Sequence, residues 1–169
     1  YLNNQVVTLA SVLQQSGFNT YMTGKWHLGT TVLPSERGFD RTFILLQGAG
    51  SHFDNTGYAS AQPTVNYFRN GEETELSDDF YSSDTYTQEM IHYIEAGRDS
   101  EMPFFGYLAF SAPHFPLHAP TVLIDKYEER YLAGWDIIRK QRHEALKAKE
   151  LIDAEAEMAE RLQLSLIHI

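Results

Sequence analysis

The sequence predicts an α/β protein, and three observations carry that prediction. Residues 5–16 read as a helix, residues 18–22 as a strand, and the polar stretch 23–29 as the loop that leaves it. Residues 104–110 are nearly all apolar, as expected of a strand buried on both faces, and they open into a second polar stretch at 111–120. Residues 42–47 supply a further apolar run. Folds of this class place ligands beyond the carboxyl ends of their strands, which directs attention to the two polar exits.

Each element has its own justification. Val6, Leu9, Val12 and Leu13 recur at helical spacing, and Gly17 stands where a helix C-terminus wants a left-handed residue. A flexible glycine-rich stretch, 48–55, follows the run at 42–47. Asn70-Gly71 between extended flanks is a type I′ hairpin signal, read as an excursion from the main sheet. Ser82, Ser83, Asp84 and Thr85 offer N-caps for a helix that carries Met90, Ile91 and Ile94 on one side and stops at Gly97. Pro113, Pro116 and Pro120 keep 111–120 out of any helix. From Ile124 the pattern turns helical to the end, with a stripe of Ile138, Ala145, Ile152 and Ala159 flanked by the pairs Asp136/Lys140 and Glu157/Arg161.

Composition narrows the function classes. The chain has 169 residues, 13 Lys+Arg against 23 Asp+Glu, a formal charge of −10 and no cysteine. A disulfide framework, a cysteine-ligated metal and a cysteine nucleophile within these residues are excluded. The acidic balance argues against nucleic acid or an anionic membrane as partner, and no apolar run approaches the ~20 residues of a membrane span.

The chemistry concentrates at Gly24-Lys25-Trp26-His27 and Pro113-His114-Phe115-Pro116. Residues 1–123 hold basic side chains only at Lys25, Arg37, Arg41, Arg69 and Arg98, so Lys25 is their one lysine. Its stem could simply lie on Trp26 with the ammonium in water. An extended chain would point His27 to the same side as Lys25, giving an ammonium–imidazole pair suited to an oxyanion, although for His27 alone a hydrogen-bonded core histidine is the preferred reading. His114 and His118 have the i,i+4 spacing of a helical metal pair, but the prolines forbid that helix, and four extended residues span roughly 13 Å. Ser111 lacks a nucleophile elbow around it. His52 and Asp54 could line a pocket, and an Asx turn is the preferred reading of Asp54.

At these residues the sequence resembles the sulfatase family. Thr8-Leu9-Ala10 and the run from Gly17 to Gly29 are similar to the family's second signature, and Arg37-Gly38-Phe39-Asp40 follows at the expected place. Residues 48–55, 112–120, 126–127 and 131–136 resemble bacterial arylsulfatases, so the likeness extends over essentially residues 5–150. It implies an alkaline-phosphatase-like α/β fold, a central sheet with flanking helices, that hydrolyses sulfate esters with a calcium ion and a formylglycine nucleophile. It further implies that Lys25 binds the sulfate and the nucleophile's oxygen, that His27 contacts the formylglycine hydroxyl, and that His114 reaches the ester oxygen near the leaving group. Lys25, His27 and His114 are thus the expected catalytic residues, with Lys25 and His114 also binding substrate.

Departures from the family pattern set further expectations. The Cys/Ser-x-Pro-x-Arg motif, the paired aspartates before it, the Asp-Asn pair of the calcium site and a second active-site lysine are absent from these residues. Residues 1–163 are therefore expected to be the middle portion of a catalytic domain whose N- and C-terminal parts are missing, with nucleophile and calcium ligands outside this chain. Tyr1 in place of Met leaves localisation unread. Residues 164–169 match what a sequencing-library transposon end encodes and are expected to be an adapter-derived tail. The expected partner is a small-molecule or carbohydrate sulfate ester. Alternatives are a phosphate or phosphonate monoester hydrolase of the same superfamily and a catalytically inactive homologue that binds sulfated glycans.

Overall fold

In the computed structural model, which describes residues 2–3, 5–59 and 61–160, the chain divides into two units, Tyr1–His118 and Ala119–Ile169. The first unit begins with α1 (Leu9–Gln15). Thr8 caps it by accepting the Ser11 amide, and its hydroxyl donates to the Arg37 carbonyl at 2.7 Å. The helix starts four residues later than its apolar spacing predicts, and Val6 and Val7 stand exposed before it. A good cap outranks hydrophobic periodicity in fixing a helix start.

β1 (Asn19–Lys25) follows, then a 3-10 turn over Pro34–Arg37 and β2 (Arg41–Leu45). β3 (Thr56–Ala59) and β4 (Gln62–Thr64) pair into a separate two-stranded sheet that the sequence does not announce. β5 (Tyr67–Arg69) and β6 (Glu72–Thr74) form the expected hairpin. Asn70 at φ 51° and Gly71 at φ 93° give the two positive angles a type I′ turn requires. α2 (Ser82–Ala96) leads to β7 (Phe104–Ala109).

The main sheet runs β6-β5-β2-β1-β7, with β1 parallel to both β2 and β7. Alternate residues of β1 and β2 feed two cores. Tyr21, Phe43 and Leu45 pack with Tyr67, Phe80, Tyr86, Met90 and Tyr93 against α2. Met22, Ile44 and Leu46 pack with Ala10, Trp26 and Phe39 on the α1 side. Side chains of this size each contribute about 1.5–3 kcal/mol on full burial. The buried threonines of β1 are partnered: Thr23 Oγ1 donates to the Tyr86 carbonyl at 2.8 Å, and the Thr20 amide and hydroxyl donate to Asp40 Oδ2 at 2.9 and 2.8 Å.

β7 departs from its prediction. It is one of the two edge strands of the main sheet among the described residues, and Phe104 and Tyr107 are about half exposed, at 52% and 49%. The apolar run does form a strand, but only β1 pairs with it, so its burial on both faces is not realised.

The second unit holds α3 (Thr121–Tyr131) and α4 (Trp135–Ala148). Leu132, Ala133 and Gly134, the last at φ 83°, interrupt what the sequence reads as one helix. Helix ends at Ala148, so Ile138 and Ala145 lie on it while Ile152 and Ala159 fall in irregular chain, and the predicted stripe is only half formed. Arg161 and residues 164–169 lie outside the described residues.

Gly24 gives the sheet its sharpest test. Its φ is 107°, and a Cβ there would stand 1.9 Å from the Ala109 carbonyl oxygen. Gly24→Ala is expected to cost at least about 1–3 kcal/mol from backbone strain and to splay β7 from β1. Urea unfolding measures the loss, and an unchanged midpoint refutes the close approach.

Candidate active site

The register of three parallel strands builds one functional edge. Lys25 lies opposite Leu45 and Gly24 opposite Ala109, so β1, β2 and β7 reach their carboxyl ends side by side. Every residue expected to carry chemistry leaves the sheet at this edge.

Lys25 is the last residue of β1 and is half-buried. Its ammonium makes no hydrogen bond or ion pair among the described residues. Trp26 is buried, its indole Nε1 donating to the Val32 carbonyl at 2.9 Å. Trp26 and His27 prolong the β1–β2 ladder, their amides donating to Leu45 and Leu46 carbonyls at 2.9 and 3.2 Å.

His27 corrects the geometry the sequence suggests. Its φ is 51°, so the chain is left-handed there and the same-side argument for extended residues does not apply. Nor is it a core histidine, because it is exposed. Its ring lies over Gly48, just beyond β2: a Cβ on Gly48 would approach His27 Nε2 to 2.5 Å. The glycine leaves room for the imidazole at this edge.

His114 follows β7 by five residues, exposed, with Nδ1 donating to the Phe115 carbonyl at 2.6 Å. Two cis peptide bonds, Ala112-Pro113 and Phe115-Pro116, shape its loop, and no helix aligns His114 with His118. Among the described residues no group of three or more His, Asp or Glu side chains could hold a metal ion. His118 instead packs edge-on to His52, with ring centroids 6.2 Å apart, and its Nε2 meets the Tyr58 hydroxyl at 3.4 Å.

The stretch 48–55 brings a residue that the sequence leaves undecided. His52 is buried, and its Nδ1 pairs with Ser82 Oγ at 2.6 Å. Burial holds its pKa below the usual histidine value, partly offset by main-chain groups of His114 and Pro116 that favour the charged form. Asp54 forms the expected Asx turn, Oδ1 accepting from the Thr56 amide at 2.8 Å, and that bond lowers its pKa. Asp54 also lines a cavity of about 840 Å³ with Phe53, Asn66, Tyr67 and Glu73.

Chemically, this edge carries an ammonium unpaired among the described residues and two exposed imidazoles, groups suited to an anion whose charge grows on several oxygens. Arg37 is buried rather than part of the edge, its Nη2 donating to the Val6 carbonyl at 2.5 Å.

Comparison with known proteins gives this arrangement a context. A family model described as Sulfatase matches residues 1–162. An uncharacterized sulfatase of Schizosaccharomyces pombe is 38% identical over 161 residues, covering 90% of this chain and 29% of the relative. An arylsulfatase of Klebsiella aerogenes is 40% identical over 156 residues, covering 89% of this chain and 33% of the relative. The chain thus spans about a third of the length of these curated relatives. Among solved structures, BT4656 in complex with its substrate D-glucosamine-2-N,6-O-disulfate is 25% identical with a TM-score of 0.58, covering 76% of this chain and 23% of that one. The crystal structure of Ps i-CgsB is 28% identical with a TM-score of 0.58, covering 66% of this chain and 27% of that one.

Gly48→Ala is expected to displace the His27 imidazole, read as a shift of its Cε1–H resonance, while far-UV circular dichroism stays unchanged. An unmoved resonance would mean that the ring does not rest on this glycine.

Proposed function

Because the chain belongs to the sulfatase family, its match running over residues 1–162, we propose that it supplies one wall of the active site of a sulfuric ester hydrolase of arylsulfatase type. The observation that carries this reading is the shared edge: Lys25 ends β1, His27 rests against Gly48 beyond β2, and His114 follows β7. These three strands are neighbours and parallel.

Sulfuryl transfer spreads negative charge over the sulfate oxygens and onto the departing ester oxygen. Lys25 binds the sulfate oxygens as a point charge, and its freedom from carboxylates among the described residues leaves that charge available to substrate. The resemblance has His114 reach the ester oxygen near the leaving group, where an imidazole suits donating a proton to that oxygen as its bond to sulfur breaks. His27 faces the nucleophile and takes or returns its hydroxyl proton near neutral pH.

Sulfatases generally use Ca²⁺, which neutralises sulfate charge when bound. Among the described residues no group of three or more His, Asp or Glu could hold it, and we place the ion's ligands, like the nucleophile, in the rest of the full-length protein. The absence of cysteine and of a Cys/Ser-x-Pro-x-Arg motif supports the same division. We place residues 1–163 in the middle of a longer catalytic domain on that basis. The substrate is a small-molecule or carbohydrate sulfate ester, and the sulfated sugar bound by BT4656 supports the carbohydrate class.

The test is kinetic, on the full-length protein that carries this segment, with p-nitrophenyl sulfate and p-nitrophenyl phosphate. Sulfate turnover should exceed phosphate turnover. Lys25→Ala, His27→Ala and His114→Ala should each lower kcat/KM by about 10²–10³-fold. The isolated 169-residue chain should turn over neither ester. Preference for phosphate would overturn the sulfatase assignment, and binding of sulfated glycans without turnover would reduce the edge to a recognition site.

A further inference from the structure

The loop that carries His114 is fastened from beneath by a buried polar group with no part in the chemistry proposed above. His52 lies between two elements. On one side its Nδ1 pairs with Ser82 Oγ at 2.6 Å, and its carbonyl accepts the Ser82 amide at 2.9 Å, so residue 52 occupies the start of α2 with both side chain and backbone. That amide is among those that a helix leaves unsatisfied at its N-terminus, and Tyr81 provides no side-chain cap. On the other side the His52 ring meets the His118 ring edge-on at 6.2 Å, and the main-chain groups of His114 and Pro116 favour its charged form against the burial that lowers its pKa.

An aromatic collar completes the clasp. Tyr58 packs at right angles to both Phe115 and His118, with centroids 5.5 and 5.9 Å apart. Phe53 lies 5.9 Å from His118 and stacks on Tyr81 at 5.3 Å. The loop is otherwise exposed at 112–115 and has few internal hydrogen bonds: the His114 amide to the Ser111 carbonyl, the His118 amide to the Pro116 carbonyl, and His114 Nδ1 to the Phe115 carbonyl, which orients the ring within the loop but does not tie the loop to the fold. A buried imidazole held by a hydroxyl on one side and packed against the loop's His118 ring on the other is costly to displace, so its contacts favour one loop position.

We propose that His52, anchored by Ser82, is a positioning residue that sets the His114 imidazole at the active-site edge. It acts through the loop backbone and the His118 ring rather than on the substrate. The inference rests on the sulfatase reading for its kinetic consequence and on geometry alone for its structural one. A misplacement on the order of 1 Å can cost a rate factor of about 10².

The experiment separates the two in the full-length protein, with His52→Ala and the milder Ser82→Ala. The histidine Cε1–H resonances, assigned by substitution, are read alongside kinetics on p-nitrophenyl sulfate. The clasp predicts that both variants shift the His114 resonance, that His52→Ala lowers kcat by about 10–100-fold with KM little changed, and that His52→Ala/His114→Ala is no slower than His114→Ala alone. Additive losses in the double variant would reveal a merely structural contribution and overturn the proposal. An unmoved His114 resonance in both variants would overturn it as well. If His114→Ala keeps full activity while its resonance still responds to residue 52, the catalytic reading of His114 fails and the clasp stands as a structural device only. Should His52→Ala fail to fold, Ser82→Ala alone decides, through the same resonance and the same KM–kcat split.

Discussion

The structure depends on β1 being satisfied on four sides at once. Its edges pair in parallel with β2 and β7, and its faces bury Tyr21 against α2 and Met22 on the α1 side. Such a strand tolerates neither an unpaired polar group nor a bulky residue at its closest contact. Thr20 and Thr23 meet the first condition by spending their hydroxyls on Asp40 and on the Tyr86 carbonyl. Gly24 meets the second, lying against the Ala109 carbonyl in a backbone conformation that side chains avoid. Parallel pairing on both edges then has a functional consequence. It sends three chain segments out at the same end, so Lys25, Gly48 and the His114 loop are neighbours through topology, however far apart they are in sequence.

Much of this is legible in the residues, for identifiable reasons. The α/β class follows from helix, glycine, strand and polar loop in succession, and the turn at Asn70-Gly71 follows from two positive φ angles that few residue pairs accept. The Asx turn at Asp54 is local chemistry and needs no tertiary knowledge. Losses occur where a long-range partner decides. The β3–β4 pair has strands of four and three residues carrying Gly57 and Pro63, too short and too interrupted for a period to emerge. β7 reads as doubly buried because composition reports what a strand can bury, not what flanks it. The helical run from Ile124 breaks at Gly134 and ends at Ala148 because charged residues sustain helical spacing without a core to require it.

The candidate site divides in the same way. Lys25 stands out by scarcity, as the one lysine of residues 1–123, and His114 by its proline frame. The placement of His27 could not be reached from spacing, since it depends on a left-handed backbone and on a glycine twenty-one residues away that admits its ring. His52 was undecided for a related reason. Its signal, a histidine between serine and phenylalanine, fits a turn as well as a pocket, and only the arrival of Ser82 and the 111–118 loop gives the ring its partners.

On the proposed reading, charge is what makes the edge selective. A chain with net charge −10 repels anions on average, so an anionic ester is retained only where that average is locally reversed. Two ways of using a lysine compete here. Paired with a carboxylate it would stabilise the fold slightly, as exposed pairs do by a few tenths to about 1 kcal/mol. Left unpaired among the described residues at the end of a buried strand, it contributes little to the fold but can meet an incoming anion without first giving up a partner. Arg69 takes the first course, forking onto Glu89 at 2.5 and 2.7 Å. Lys25 takes the second, half-buried at the carboxyl end of β1, where the low-dielectric sheet beneath it strengthens its interaction with bound charge. On the proposed reading, the rigid strand that orders its backbone does for Lys25 what the His52 clasp does for His114: each holds a donor in position before a substrate arrives, so that less reorganisation remains when charge develops.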